Sequence, residues 1–123
     1  MDSILFSKTH EYIYEKDEFF YIGASGVLLN KLGIIRSVIL PETGEYYTKG
    51  EIFGYLESDN AASELFMPVS GKIEAVNLKL KDNLNLFNTQ SFEENWLIKI
   101  SSEFYNQDKT DLAAYNEYKE GNK

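Results

Sequence analysis

A chain of 123 residues has room for one compact domain, and 43% hydrophobic and 15% aromatic residues supply enough apolar material for a core, which excludes disorder as the default. Twelve Lys and Arg against twenty Asp and Glu leave a net charge of −8, a field that repels phosphate backbones and anionic lipid, so nucleic acid and membrane are poor partners. Zero cysteines and a single histidine, His10, exclude a disulfide framework, a thiolate metal site, a cysteine nucleophile and a histidine-rich metal centre.

The chain opens Met1-Asp2-Ser3-Ile4-Leu5-Phe6 with no basic region ahead of a long apolar core, and no uninterrupted apolar run reaches membrane-spanning length. A soluble protein of the bacterial cytoplasm is expected, with the mitochondrial matrix as the alternative. Runs rich in β-branched and aromatic residues predict strands at Glu11 to Tyr14, Phe19 to Ile22, Ile34 to Leu40, Ile52 to Leu56, Leu65 to Met67, Lys72 to Val76 and Trp96 to Ile100. Turn signals separate them at Glu15-Lys16-Asp17, Pro41-Glu42-Thr43-Gly44, Lys49-Gly50, Asp59-Asn60 and Pro68-Val69-Ser70-Gly71. Two segments read as helix: Ala24 to Leu32, after the second predicted strand and closed by Gly33, and a C-terminal stretch over about 110–119 capped by Thr110 or Asp111. Both helices are expected to be peripheral. The expected architecture is mostly β, a small antiparallel sandwich forming one domain over 1–123.

Within that pattern the stretch Gly54 to Gly71, GYLESDNAASELFMPVSG, is the most informative. It resembles the lipoyl-attachment hairpin of glycine cleavage system H proteins, whose usual form is Glu-Ser-x-Lys-Ala-x-Ser, an acidic residue, then Pro-x-x-Gly. Glu57, Ser58, Ala61, Ser63, Glu64, Pro68 and Gly71 match in identity and spacing, and Asn60 stands where the family has its lipoylated lysine, with Asp59 before it. Thr9-His10-Glu11-Tyr12, Leu32-Gly33, Val38 to Pro41 and Trp96 to Ile100 resemble further family segments in the same order, so the likeness spans roughly residues 8 to 118.

The resemblance implies a lipoyl-type β-sandwich, or barrel-sandwich hybrid, with the attachment position at an exposed hairpin tip. Asp59-Asn60 suits such a tip independently, because both residue types tolerate the positive φ of tight hairpins. It also implies a carrier of an aminomethyl group between glycine decarboxylase and aminomethyltransferase, with covalent lipoate as cofactor. Dihydrolipoyl dehydrogenase and lipoate ligase are the other implied partners, and a monomer is expected.

Attachment needs an amine, whereas the Asn60 carboxamide nitrogen is delocalised into its carbonyl and cannot be acylated by that route; no cofactor is therefore expected on this chain. Lys49 and Lys72 lie about 35 to 40 Å of extended chain from the tip, at the hairpin's base. Lys49 reads as a solvated turn lysine, with substitute lipoylation as the lesser alternative. The positions matching the family's arm cleft are Thr9, Glu11 and Glu64. Carboxylates there would suit a cationic group, and the same two acids read equally as solvated surface residues. His10 has no nucleophile beside it and reads as a packed structural histidine rather than a proton donor. Two roles follow: an H-type carrier by descent that has lost its attachment residue, or an unlipoylated interaction protein docking to glycine-cleavage or lipoate-metabolism enzymes. Neither is an enzyme.

Overall fold

The computed structural model describes residues 3–89 and 91–121, and of 119–121 the backbone only. Strands β1 (Leu5–Phe6), β2 (Glu11–Lys16) and β3 (Phe19–Ala24) lead into helix α1 (Gly26–Leu32), then β4 (Ile35–Ile39), β5 (Tyr46–Tyr47), β6 (Ile52–Ser58), β7 (Ala62–Phe66) and β8 (Gly71–Val76). Short helical turns follow, α2 (Lys79–Asp82), a 3₁₀ turn (Leu84–Asn88) and α3 (Phe92–Asn95), before β9 (Ile98–Ser101). The chain ends with α4 (Tyr105–Asp108), a second 3₁₀ turn (Lys109–Asp111), β10 (Ala113–Ala114) and α5 (Tyr115–Gly121).

All pairings are antiparallel. A seven-stranded sheet in the order β10-β1-β2-β3-β9-β8-β5 faces a three-stranded sheet β4-β6-β7. The core between them takes Ile13, Ile22, Ile98 and Ile100 from the first and Val38, Leu56 and Leu65 from the second. Strand alternation explains the division of labour in β2: Ile13 enters this core, while Tyr12 and Tyr14 turn to the outer face and form a second buried cluster with Phe6 and Tyr118. Gly23, paired with Tyr12, lets that ring lie flat on the sheet, since a Cβ there would come within 2.4 Å of it.

The expected sandwich and α1 are present. Ser25 caps α1 by accepting from the Leu28 N–H at 3.5 Å, and Gly33 ends it at φ 82°. Several expectations are corrected. The first hairpin turns at Asp17 and Glu18, with φ of 53° and 70°, because β2 runs on through Lys16. The C-terminal helix begins at Tyr115 rather than near 110: Ala113 and Ala114 form a strand paired with β1, and Thr110 and Asp111 lie in a 3₁₀ turn. Nor are the helices peripheral, since Leu28, Leu32 and Tyr118 are buried.

Candidate functional site

The hairpin β6–β7 belongs to the smaller sheet and carries the positions singled out in the sequence. Its last ladder pair is Glu57 opposite Ala62, which leaves Ser58 to Ala61 as a four-residue connection. Ser58 organises that connection: its N–H donates to the Ala61 carbonyl at 2.8 Å, and its hydroxyl oxygen accepts from the Asn60 and Ala61 N–H groups at 3.3 and 3.2 Å. With a side chain supplying these partners, the tip does not need left-handed backbone. Among the described residues only His10, Asp17 and Glu18 combine a side chain with positive φ, so the expectation of such angles at Asp59 and Asn60 is corrected.

Asp59 is fixed from a neighbouring strand. Arg36 of β4 meets its carboxylate with two hydrogen bonds, Nε at 2.9 Å and Nη2 at 2.8 Å, and these hold the Asp59 carboxyl below its ordinary pKa. Both side chains are more than half exposed, so the pair orders the tip without adding much stability. Ser37 of the same strand donates to Glu57 at 2.9 Å. Asn60 and Ala61 are exposed, and Ser63, half-buried, donates to the Glu64 carbonyl at 3.2 Å. Arg36, the chain's one arginine, is the partner that sequence reasoning missed; its solitude in an acidic chain is the signal that could have found it.

Thr9 and Glu11 come together, and Glu64 does not join them. Alternation in β2 points Glu11 to the inner face, where it is fully buried. One carboxylate oxygen accepts from the Ser7 hydroxyl at 2.7 Å and from the Thr9 hydroxyl; the other accepts from the Phe66 N–H at 3.0 Å. Strand β7 is an edge of the smaller sheet, so Phe66 N–H has no strand to donate to, and Glu11 stands in for one. Desolvation raises the Glu11 pKa, partly opposed by these hydrogen bonds. This excludes the solvated reading for Glu11. Glu64, opposite Tyr55, is exposed, and among the described residues no hydrogen bond or ion pair joins its carboxylate to the Thr9 and Glu11 group.

The lysine and histidine alternatives also have definite places. Lys49 is not simply solvated: its ammonium donates to the Asp108 carbonyl at 2.6 Å and pairs with Asp111 at 2.5 Å. Asp108 accepts in turn from the Ser70 N–H at 2.8 Å, so the C-terminal segment is fastened across the base of the hairpin. The His10 ring shares a 2.7 Å hydrogen bond between Nδ1 and the Tyr118 hydroxyl, which contacts Ser25 Oγ at 2.6 Å; this is the packed structural histidine expected.

A β-sandwich that displays an ordered hairpin tip from its smaller sheet is the architecture of lipoyl-type carrier domains. The chain belongs to the glycine cleavage H-protein family, whose sequence profile matches residues 4–123. It is 34% identical over 118 residues to the glycine cleavage system H protein of Listeria innocua, covering 96% of this chain and 94% of that one. It is 37% identical over 115 residues to the H protein of Thermotoga maritima, with 92% and 93% covered. Among solved structures, the glycine cleavage system H protein of Mycobacterium marinum superimposes with a TM-score of 0.87 at 27% identity, over 99% of this chain and 98% of that one. Members of this family carry lipoate and are not themselves enzymes.

Proposed function

We propose that this chain is an H-type protein without an arm, which docks as a monomer to enzymes of glycine cleavage or lipoate metabolism and carries no group between them. The observation behind this reading is the exposed Asn60 at the attachment position of an otherwise ordered hairpin. A lipoyl arm is held by an amide to a lysine amine, and the tip does not fit it: Asn60 offers a carboxamide, and Asp59 beside it is engaged by Arg36. Lys49, the alternative amine, is tied to Asp108 and Asp111. Glycine decarboxylase, aminomethyltransferase, dihydrolipoyl dehydrogenase and lipoate ligase are the partners proposed, in the bacterial cytoplasm or, alternatively, the mitochondrial matrix.

The test is intact mass with peptide mapping on protein purified from its native source, combined with identification of what co-purifies. An unmodified mass together with a glycine-cleavage or lipoate enzyme supports the proposal. A lipoyl group on any lysine, or no such enzyme recovered, overturns it. A second reading, a carrier by descent, is favoured by the tip backbone, which Ser58 keeps in an ordered turn. It predicts that a folded Asn60→Lys variant accepts lipoate from a lipoate ligase in vitro, and refusal by that variant would count against it.

A further inference from the structure

An open groove of about 910 Å³ lies between α1, the Leu84–Asn88 turn, β1 and α5, and no residue of the hairpin lines it. Its size falls within the range of small-molecule sites. Charged residues make up 26% of the chain, yet among the described residues none of the side chains lining the groove is charged. Its floor is apolar and aromatic, with Phe6, Phe87 and Phe92 among the walls, and its rim exposes Ile34 at 66%. Large apolar side chains left in water beside a concave neutral surface are a signature of recognition rather than of folding.

The polar groups on the walls fall into two kinds. Asn95, buried, accepts from the Tyr12 hydroxyl at 2.6 Å and donates to the Thr89 carbonyl at 3.1 Å, so it makes no demand on a ligand. Asn30 and Asn88 are exposed at the rim, and among the described residues their carboxamides have no hydrogen-bond partner. Each offers a donor and an acceptor together.

We infer that this groove binds a neutral amphiphile with an apolar chain and an amide or ester head, the chain lying on the aromatic walls and the head meeting Asn30 and Asn88. An anionic head is disfavoured, because the described residues lining the groove include no cation and the molecule as a whole is negative. The inference stands apart from the arm-less reading, since it uses no residue of the hairpin.

Three eight-carbon probes separate charge from shape: octanamide, octanoate and octylammonium, each titrated into the isotopically labelled full chain at neutral pH and followed by amide chemical shifts. Octanamide is expected to give saturable shifts at Val27, Asn30 and Ile34, with octanoate binding about fivefold or more weakly. Replacing the exposed rim residue by Ile34→Lys should weaken octanamide by about fivefold, the cost of losing part of one apolar contact. Asn30→Asp, also exposed, should weaken it too, and the spectrum of each variant reports its folding directly. Absence of saturable octanamide shifts, shifts confined to other surfaces, equal affinity for octanoate, tighter binding of octylammonium, or an unchanged affinity in both folded variants would each overturn the inference.

Discussion

The residue whose environment departs most from its surface chemistry is Glu11, a carboxylate with no solvent exposure that closes a strand edge of the opposite sheet. Its removal leaves the Phe66 N–H without its acceptor, and Ser7 and Thr9 without the one they share. Glu11→Ala is therefore expected to cost about 2–4 kcal/mol in urea unfolding. The pH dependence has a definite sign. Burial raises the carboxyl above its ordinary 4.5, so the native state keeps this proton to higher pH than the unfolded chain does. Stability from this group is then fully present below 4.5 and falls as pH rises through the native pKa. Glu11→Gln abolishes that slope, so its stability relative to the unsubstituted protein should improve between about pH 4 and pH 7. A difference that stays flat over this range would show that Glu11 titrates alike in both states. Arg36 and Asp59 make the contrasting case: equally well bonded but in water, their pair should show little or no coupling in a double-mutant cycle.

Among the elements, two N–H groups of the hairpin tip rest on one hydroxyl. Ser58→Ala deletes the acceptor for two tip N–H groups and the donor to the Ala61 carbonyl, in solvent. The expected loss is about 0.5–1.5 kcal/mol, with faster hydrogen exchange at Asn60 and Ala61 and little change elsewhere. Unchanged exchange at both amides would mean that the ladder alone holds the tip. The central strands and α1 were legible because local chemistry and tertiary role agree there: runs of β-branched and aromatic residues for the strands, and a glycine stop for the helix. Strands β1, β5 and β10 were not, because two residues carry no readable period and exist only through their partners. The same competition misplaced the start of the C-terminal helix. Ala113 and Ala114 favour helix by propensity, yet pairing with Leu5 and Phe6 holds them extended. At the site, residue identities from Glu57 to Glu64 were legible; the Arg36 and Ser7 contacts were not, since both bridge segments whose proximity only the fold creates.

For the molecule as a whole, the larger sheet is covered on both faces: the smaller sheet lies on one, and the Phe6, Tyr12, Tyr14 and Tyr118 cluster seals part of the other. Tyr118 stacks on Phe6 with ring centroids 4.7 Å apart, and its hydroxyl reaches both His10 and Ser25. The C-terminal helix therefore ties β1, the loop before β2 and the start of α1 into one unit. If that is its role, Tyr118→Phe should cost the hydroxyl contacts to His10 and Ser25, about 1–2 kcal/mol, whereas Tyr118→Ala should cost about 3–5 kcal/mol by exposing Phe6 as well. Deleting residues 112–123 removes the same anchor and the β10 pairing, and should cost as much as Tyr118→Ala or slightly more. That is a large share of a stability on the order of 5–15 kcal/mol. Urea melts of the three variants decide the matter. Losses in the expected order make α5 an integral cover of the sheet, while a truncated chain as stable as the full one would make it an appendage whose tyrosine merely rests on a surface already complete.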